Sequence, residues 1–180
     1  MSKELVLRSY KKYFFGIASS GGDTGTITWH RMKGFTNGTV NANSTEYNPH
    51  YIDDTFESSY LVGISESIDF EFDQMKGDTV HAALVDIIDN LKLGTDAIVK
   101  IAEVDFSDVT EGSSDNPNTY AARYRDYTVI PSSRGDGTDA YKYSGTFKTA
   151  GDVKKGQATI SVPSEGATID NVEQVTIATE

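Results

Sequence analysis

From Tyr60 to Asp73 the apolar side chains Tyr60, Val62, Ile64, Ile68, Phe70 and Phe72 hold even positions, while Ser65, Ser67, Asp69, Glu71 and Asp73 hold odd ones. A period of two predicts a strand with one apolar face and an opposite face that is first small and then acidic. Directly afterwards the period lengthens. Val80, Leu84, Ile87, Ile88 and Leu91 recur at helical spacing, with Asp78 suited to cap the first turn and Gly94 to end the last. This predicts one substantial helix over about 78–93, roughly 20 Å long at 1.5 Å per residue. Its stripe of Val80, Leu84, Ile87 and Leu91 is expected to press on the Ile68, Phe70 and Phe72 face of the strand.

Elsewhere the pattern is β-like. Apolar residues between 13 and 30 flank Ser19-Ser20-Gly21-Gly22-Asp23, a composition suited to a hairpin or wide loop. Further strand-like runs occupy 97–106, 120–130, 141–148 and 157–162, separated by a polar segment at 107–118 and by turn-forming stretches at 132–137 and 150–156. Residues 33–58 follow neither period. They are rich in Gly, Asn, Thr and Ser, with Phe35, Tyr47, Tyr51 and Phe56 interspersed, and are expected to form a long inter-strand loop. Residues 163–180 are acidic and weakly patterned around Val172, Val175 and Ile177, an extended C-terminal arm that either docks on a neighbour or frays. The class is mainly β (α+β), and 180 residues suit a single domain, 1–180.

Charge narrows the function. Asp and Glu number 27 against 16 Lys and Arg, a formal net charge of -11, so the surface repels polyanions and tight nucleic-acid binding is disfavoured. The chain has no cysteine, which removes disulfides, thiolate zinc sites and cysteine nucleophiles. Leu5-Val6-Leu7 is far too short for a secretory apolar segment, and no run approaches the roughly 18 apolar residues of a membrane span, so neither export nor a membrane anchor is expected.

Candidate chemistry is sparse. His30, His50 and His81 share no metal-ligand spacing. Asp53-Asp54 and Asp136-Gly137-Thr138-Asp139 lack the alternating oxygens and closing Glu of a calcium loop. Arg134-Gly135-Asp136 matches an adhesion tripeptide in a turn where Gly is wanted in any case, and Asn37-Gly38-Thr39 and Asn43-Ser44-Thr45 match glycosylation acceptors. No phosphate-binding glycine loop or nucleophile elbow occurs, and Asp69 and Glu71 share a strand face without a partner across a cleft. No catalytic residue, metal site or cofactor is assigned.

The arrangement of elements is more telling. A long loop, a strand ending in Ser65-Glu66-Ser67-Ile68-Asp69-Phe70-Glu71-Phe72-Asp73, one helix from Gly77-Asp78 and later antiparallel strands resemble the major tail (tail tube) proteins of long-tailed, siphovirus-type bacteriophages. The block 63–106 carries most of the resemblance. Ser144-Gly145-Thr146-Phe147-Lys148, then Gly151-Asp152 and Gly156-Gln157-Ala158-Thr159, is similar to that family's closing strands, and the order of elements matches over most of the chain.

The resemblance implies an antiparallel β-sandwich or partial barrel with one flanking helix, six copies of which close into a ring. Rings stack into a hollow tube around a tape-measure protein, contact other tail proteins and later pass DNA without binding it specifically. The setting is the virion tail, assembled in the host bacterial cytoplasm. Under this reading Asp69, Glu71 and Asp73 face an acidic lumen that denies phosphates a cation. Residues 33–58 then project to the next ring, burying Phe35, Tyr47, Tyr51 and Phe56 and ordering only on stacking.

Two rivals come from other classes. A monomeric β-sandwich would bind carbohydrate or a receptor through exposed Tyr and the lone Trp29. A small hydrolase would need Asp69 with Glu71, or Asp53 with Asp54, to converge in a cleft, yet nothing supplies an activated nucleophile.

Overall fold

A computed structural model describes residues 5–18, 27–109, 119–135, 139–160 and 172–179. The turn cluster 19–23, residues 110–118, Asp136 to Thr138 and 161–171 lie outside the described residues. In chain order the elements are β1 (Lys11–Ala18), β2 (Ile27–Arg31), β3 (Phe35–Tyr47), β4 (Tyr60–Asp73), α1 (Thr79–Asp89), β5 (Ile98–Val109), β6 (Thr119–Arg134), β7 (Lys142–Thr149), β8 (Lys154–Ile160) and β9 (Gln174–Thr179).

Every strand pairing is antiparallel. The order is β3-β4-β7-β6-β5-β1-β2-β9-β8, and β8 returns to pair with β6. The strands from β6 round to β8 therefore close a barrel, from which β7, β4 and β3 extend as an open wing. The two parts share β6, whose residues 119–124 pair with β8 and whose residues from Tyr127 onward pair with β7. Arg125 and Asp126 sit at the fork. The Arg125 guanidinium donates twice to the Gly151 carbonyl, at 3.1 and 3.0 Å, and the Asp126 carbonyl accepts from Ala150 N–H at 2.9 Å. These bonds hold the β7–β8 connection at the parting of the strands.

Alternation along shared strands feeds two cores. Phe14, Trp29, Ala102, Val104, Phe106, Ala158 and Val175 fill the barrel. The neighbours Phe15 and Ile101 point the other way and join the second core, where α1 lies against the wing. There Phe70 stacks on Phe147 with ring centroids 4.2 Å apart, and Phe72 on Tyr143 at 5.4 Å. Gly145 lies beneath that stack: a Cβ there would stand 2.5 Å from the Ile130 carbonyl and 2.8 Å from the Phe70 ring, so only glycine lets the strands approach.

The helix presses on Ile68, Phe70 and Phe72 as its period implies, but its bounds and stripe differ from expectation. Asp78 caps it, accepting from His81 N–H at 2.9 Å. The last helical residue is Asp89, and the stop is a paired turn in which Lys92 N–H reaches the Ile87 carbonyl and Leu91 N–H the Ile88 carbonyl. Leu91, with φ of 51°, is the left-handed residue that ends the helix; Gly94, with φ of 61°, is left-handed too but stands three residues further on. Leu91 is consequently 76% exposed, and Ile88 joins Val80, Leu84 and Ile87 in the buried stripe.

Three other expectations change. Phe35 to Tyr47 is not loop but strand, bonded to β4 along its length; the loop proper is 48–59. Its side chains are mostly exposed on both faces, so no apolar alternation marks it, and backbone pairing alone makes the strand. The C-terminal segment is not an arm on a neighbour where it is described: β9 lies between β2 and β8 of its own chain and buries Val175. Trp29 is 2% exposed inside the barrel, packed edge-on to Tyr124 at 5.4 Å, and offers no stacking surface to a sugar.

Leu84→Ala should lower unfolding stability by about 2 to 5 kcal/mol, because the side chain is fully buried. Leu91→Gly should raise it by about 1 kcal/mol by relieving the left-handed backbone. Urea unfolding of both variants checks the assignment, and destabilisation by Leu91→Gly would return that residue to the core.

Candidate assembly surfaces and conduit face

On the side of the wing away from α1, β4 presents Asp69, Glu71 and Asp73 as one row, and β7 sets Thr146, Ser144 and Lys142 directly opposite them. All three carboxylates thus share a face, and two of them, Asp69 and Glu71, are engaged groups. Asp69 accepts from Asn41 Nδ2 at 2.8 Å and from the Thr146 hydroxyl at 2.9 Å. Glu71 accepts from Lys142 Nζ at 3.1 Å and from the Thr36 hydroxyl at 3.0 Å. The Lys142 hydrogen bond, followed by that of Thr36 and the ammonium's charge, holds the Glu71 carboxyl below the usual range. Asp73 lies opposite Lys142, with Oδ1 buried and no hydrogen-bond partner among the described residues. The face is polar and carries cations among its acids, Lys142 and Lys148, the latter paired across from Ser67.

The same strand outruns its sheet. β7 pairs with β4 only from Ser67 onward, so residues 60–66 are bonded to β3 alone, and β3 ends the sheet. Among the described residues this two-stranded ribbon leaves backbone edges open on both sides. It also carries Tyr60, Leu61, Val62 and Ile64 exposed. Ile64 continues the apolar face of Ile68, Phe70 and Phe72, and the register shift beyond Gly63 brings Leu61, opposite Glu46, onto that face and Tyr60, opposite Tyr47, onto the other. Glu66, the polar residue that interrupts that face, anchors the ribbon where it leaves the body: it accepts from the Tyr127 hydroxyl at 2.7 Å, with the Arg125 guanidinium 4.0 Å away.

At the ribbon's tip, loop 48–59 is internally built. Asp54 N–H donates to the Tyr51 carbonyl at 3.1 Å, Ser58 N–H to the Pro49 carbonyl at 3.2 Å and the Ser59 hydroxyl to Asn48 at 2.5 Å. Tyr47, Tyr51 and Phe56 are exposed there, together with Ile52, which the sequence reading did not single out. Phe35 is absent from this group, since it packs in the wing core against Phe72 and His81.

His81, one of the three histidines without metal-ligand spacing, is a buried tie. Its Nδ1 accepts from Met75 N–H at 3.0 Å, and its Nε2 lies 2.8 Å from the Lys33 carbonyl, so it joins α1 to the chain entering β3. Its place three residues after the capping Asp78 was the available signal. Among the described residues no cluster of His, Cys, Asp and Glu could hold a metal, and no helix is long and apolar enough to cross a membrane. Arg134 of the adhesion-like tripeptide is ion-paired with Asp89, while Asp136 lies outside the described residues.

Barrel, helix-backed wing and overhanging ribbon define a protein of the siphovirus tail-tube-like fold. The chain is similar to the SPP1 tail tube, solved by a hybrid of solid-state NMR and cryo-EM, with a TM-score of 0.53 and 17% identity over 94% of this chain and 87% of that one. It is similar also to the six-fold symmetrised baseplate of the anti-feeding prophage, with a TM-score of 0.43 and 7% identity over 86% of this chain and 97% of that one. No protein-family model matches the sequence, and no curated protein matches it.

The Glu71–Lys142 pair has a pH signature. Because the folded-state value of Glu71 is depressed, its contribution is present above the ordinary glutamate range and fades as pH falls through the depressed value. In a carboxyl-carbon NMR titration Glu71 should titrate below an ordinary glutamate and move upward in Lys142→Met; an unchanged midpoint would show that the pair is not formed.

Proposed function

We propose that this chain is a non-catalytic structural subunit of a phage tail, which closes with copies of itself into rings, six to a ring, stacked as the tail tube. The observation that carries the reading is the ribbon of residues 35–47 and 60–66, which among the described residues leaves two open strand edges and exposed apolar side chains on a chain whose fold is tail-tube-like. Exposed edges of this kind invite aggregation unless they are paired, and ring closure pairs them all. In this arrangement the ribbons line the bore, and the row Asp69, Glu71 and Asp73 faces the lumen. The partners are further copies, a tape-measure protein during assembly and other tail proteins. The site of action is the virion tail, put together in the host cytoplasm.

The engaged carboxylates refine how such a lumen works. A wall that is simply negative repels phosphates, but this face also carries lysines. Glu71 occupies Lys142, so the ammonium is already bonded when a phosphate passes. The acids act both as repelling charges and as partners that keep cations from holding DNA.

Electron microscopy of the purified chain should show rings or tubes, with sedimentation showing species far larger than one copy. A single one-copy species up to high concentration would overturn the reading and favour the monomeric binding module. In assembled virions Glu71→Lys should preserve tubes while slowing DNA ejection, most at low salt, because two ammonium groups then face the phosphates. Ejection at the unaltered rate would remove the lumen assignment.

A further inference from the structure

A pocket of about 590 Å³ opens between the start of β1, the end of β2 and the base of the β3–β4 ribbon. Its floor is apolar, formed by Phe35, Ile68, Phe70, Ile101 and Phe147. Among the described residues its lining includes Arg8, Lys11 and Arg31 and no carboxylate, on a chain with 27 Asp and Glu against 16 Lys and Arg. Lys11 is also shared at 3.6 and 3.5 Å with Glu103 and Asp105, which lie outside the lining. Basic residues round an apolar floor suit an acidic segment with bulky apolar side chains.

Loop 48–59 has that composition. It carries Asp53, Asp54 and Glu57, with Ile52 at 107% relative exposure and Phe56 at 82%. We infer that the loop of one copy inserts into this pocket of a second copy, with Ile52 and Phe56 on the apolar floor and its carboxylates at the Arg8, Lys11 and Arg31 rim. The chain cannot fill its own pocket this way. From Gly38, at the pocket, β3 runs on to Tyr47, roughly 30 Å at about 3.3 Å per residue. The loop is tethered at both ends, so its midpoint reaches back no more than roughly 20 Å. The occupant is therefore another copy.

Such a contact joins two different surfaces, so each copy offers one loop and one pocket, and the contact propagates instead of closing on a pair. The bonds within the loop lower the ordering cost of docking. This inference rests on the tube reading and names the contact that extends the tube.

Gly38 supplies the test, because a Cβ added there meets nothing within 4 Å and the residue lines the pocket. Gly38→Trp should plug the pocket in a folded chain and abolish elongation, and Asp53→Lys with Asp54→Lys should do so from the loop side. Mixed together, the two variants should pair once and stop, since one retains a native loop and the other an open pocket. The chain has no cysteine, so Gly38→Cys with Phe56→Cys in one chain should give a ladder of disulfide-linked multimers when assemblies are oxidised. Tubes of normal length from both blocking variants, or only monomer from the oxidised double-cysteine chain, would overturn the loop-in-pocket contact while leaving the tube reading standing. Absence of any assembly by the unaltered chain would overturn both.

Discussion

One strand edge with two claimants organises this molecule. β6 offers a single row of amides and carbonyls on the side away from β5, and its 16 residues divide that row between β8 and β7. A buried backbone group must be bonded, so wherever one partner lets go the other must take over. The handover falls at Arg125 and Asp126, which bond the β7–β8 connection through Gly151 and Ala150. On one side of this point the sheet bends into a barrel, and on the other it runs out as a wing. Two cores on opposite faces of shared strands follow, since β1 and β5 must bury side chains both into the barrel and toward the helix.

The wing in turn explains the ribbon. β7 is 8 residues long and β4 is 14, so β4 continues past its neighbour with only β3 beside it. Glu66 stands at that boundary, held by the Tyr127 hydroxyl, and burial followed by the Glu66 hydrogen bond pushes the Tyr127 phenol upward. A polar anchor at the base lets the strand leave the body in one direction instead of folding onto it. The open edges, the exposed apolar residues and the loop beyond are then presented to other molecules as a unit.

The polar face shows why net charge alone is a coarse guide. A charge of -11 makes the surface repel nucleic acid, and yet the row on β4 is interlocked with Lys142, Thr146 and Asn41. The row is a bonded lattice in which acids hold cations and amides in place. Conversely, the pocket at the base of the ribbon gathers cations on an acidic chain. Distribution, and not the total, determines what each surface can meet.

Much of this was legible in the sequence. Alternation from Tyr60 to Asp73 identified β4, with its two faces assigned correctly from Ile64 onward but exchanged by the register shift at Val62, and the change to helical spacing at Val80 identified α1, because both elements bury one face and so carry a periodic signal. The common face of Asp69, Glu71 and Asp73 follows from the same parity. Tertiary structure decided what has no local period. β3 is exposed on most of its length, so its strand state comes from bonds to β4 and leaves no apolar pattern. Leu91 sits at helical spacing but lies in a left-handed turn that directs it to solvent, and Phe35 follows no local period but is drawn into the core by Phe72 and His81. Barrel closure through β9, the burial of Trp29 and the overhang of the ribbon all depend on which distant strands meet. A sequence read along its length states which faces must be buried; only the fold decides which are covered by its own chain and which are left for another copy.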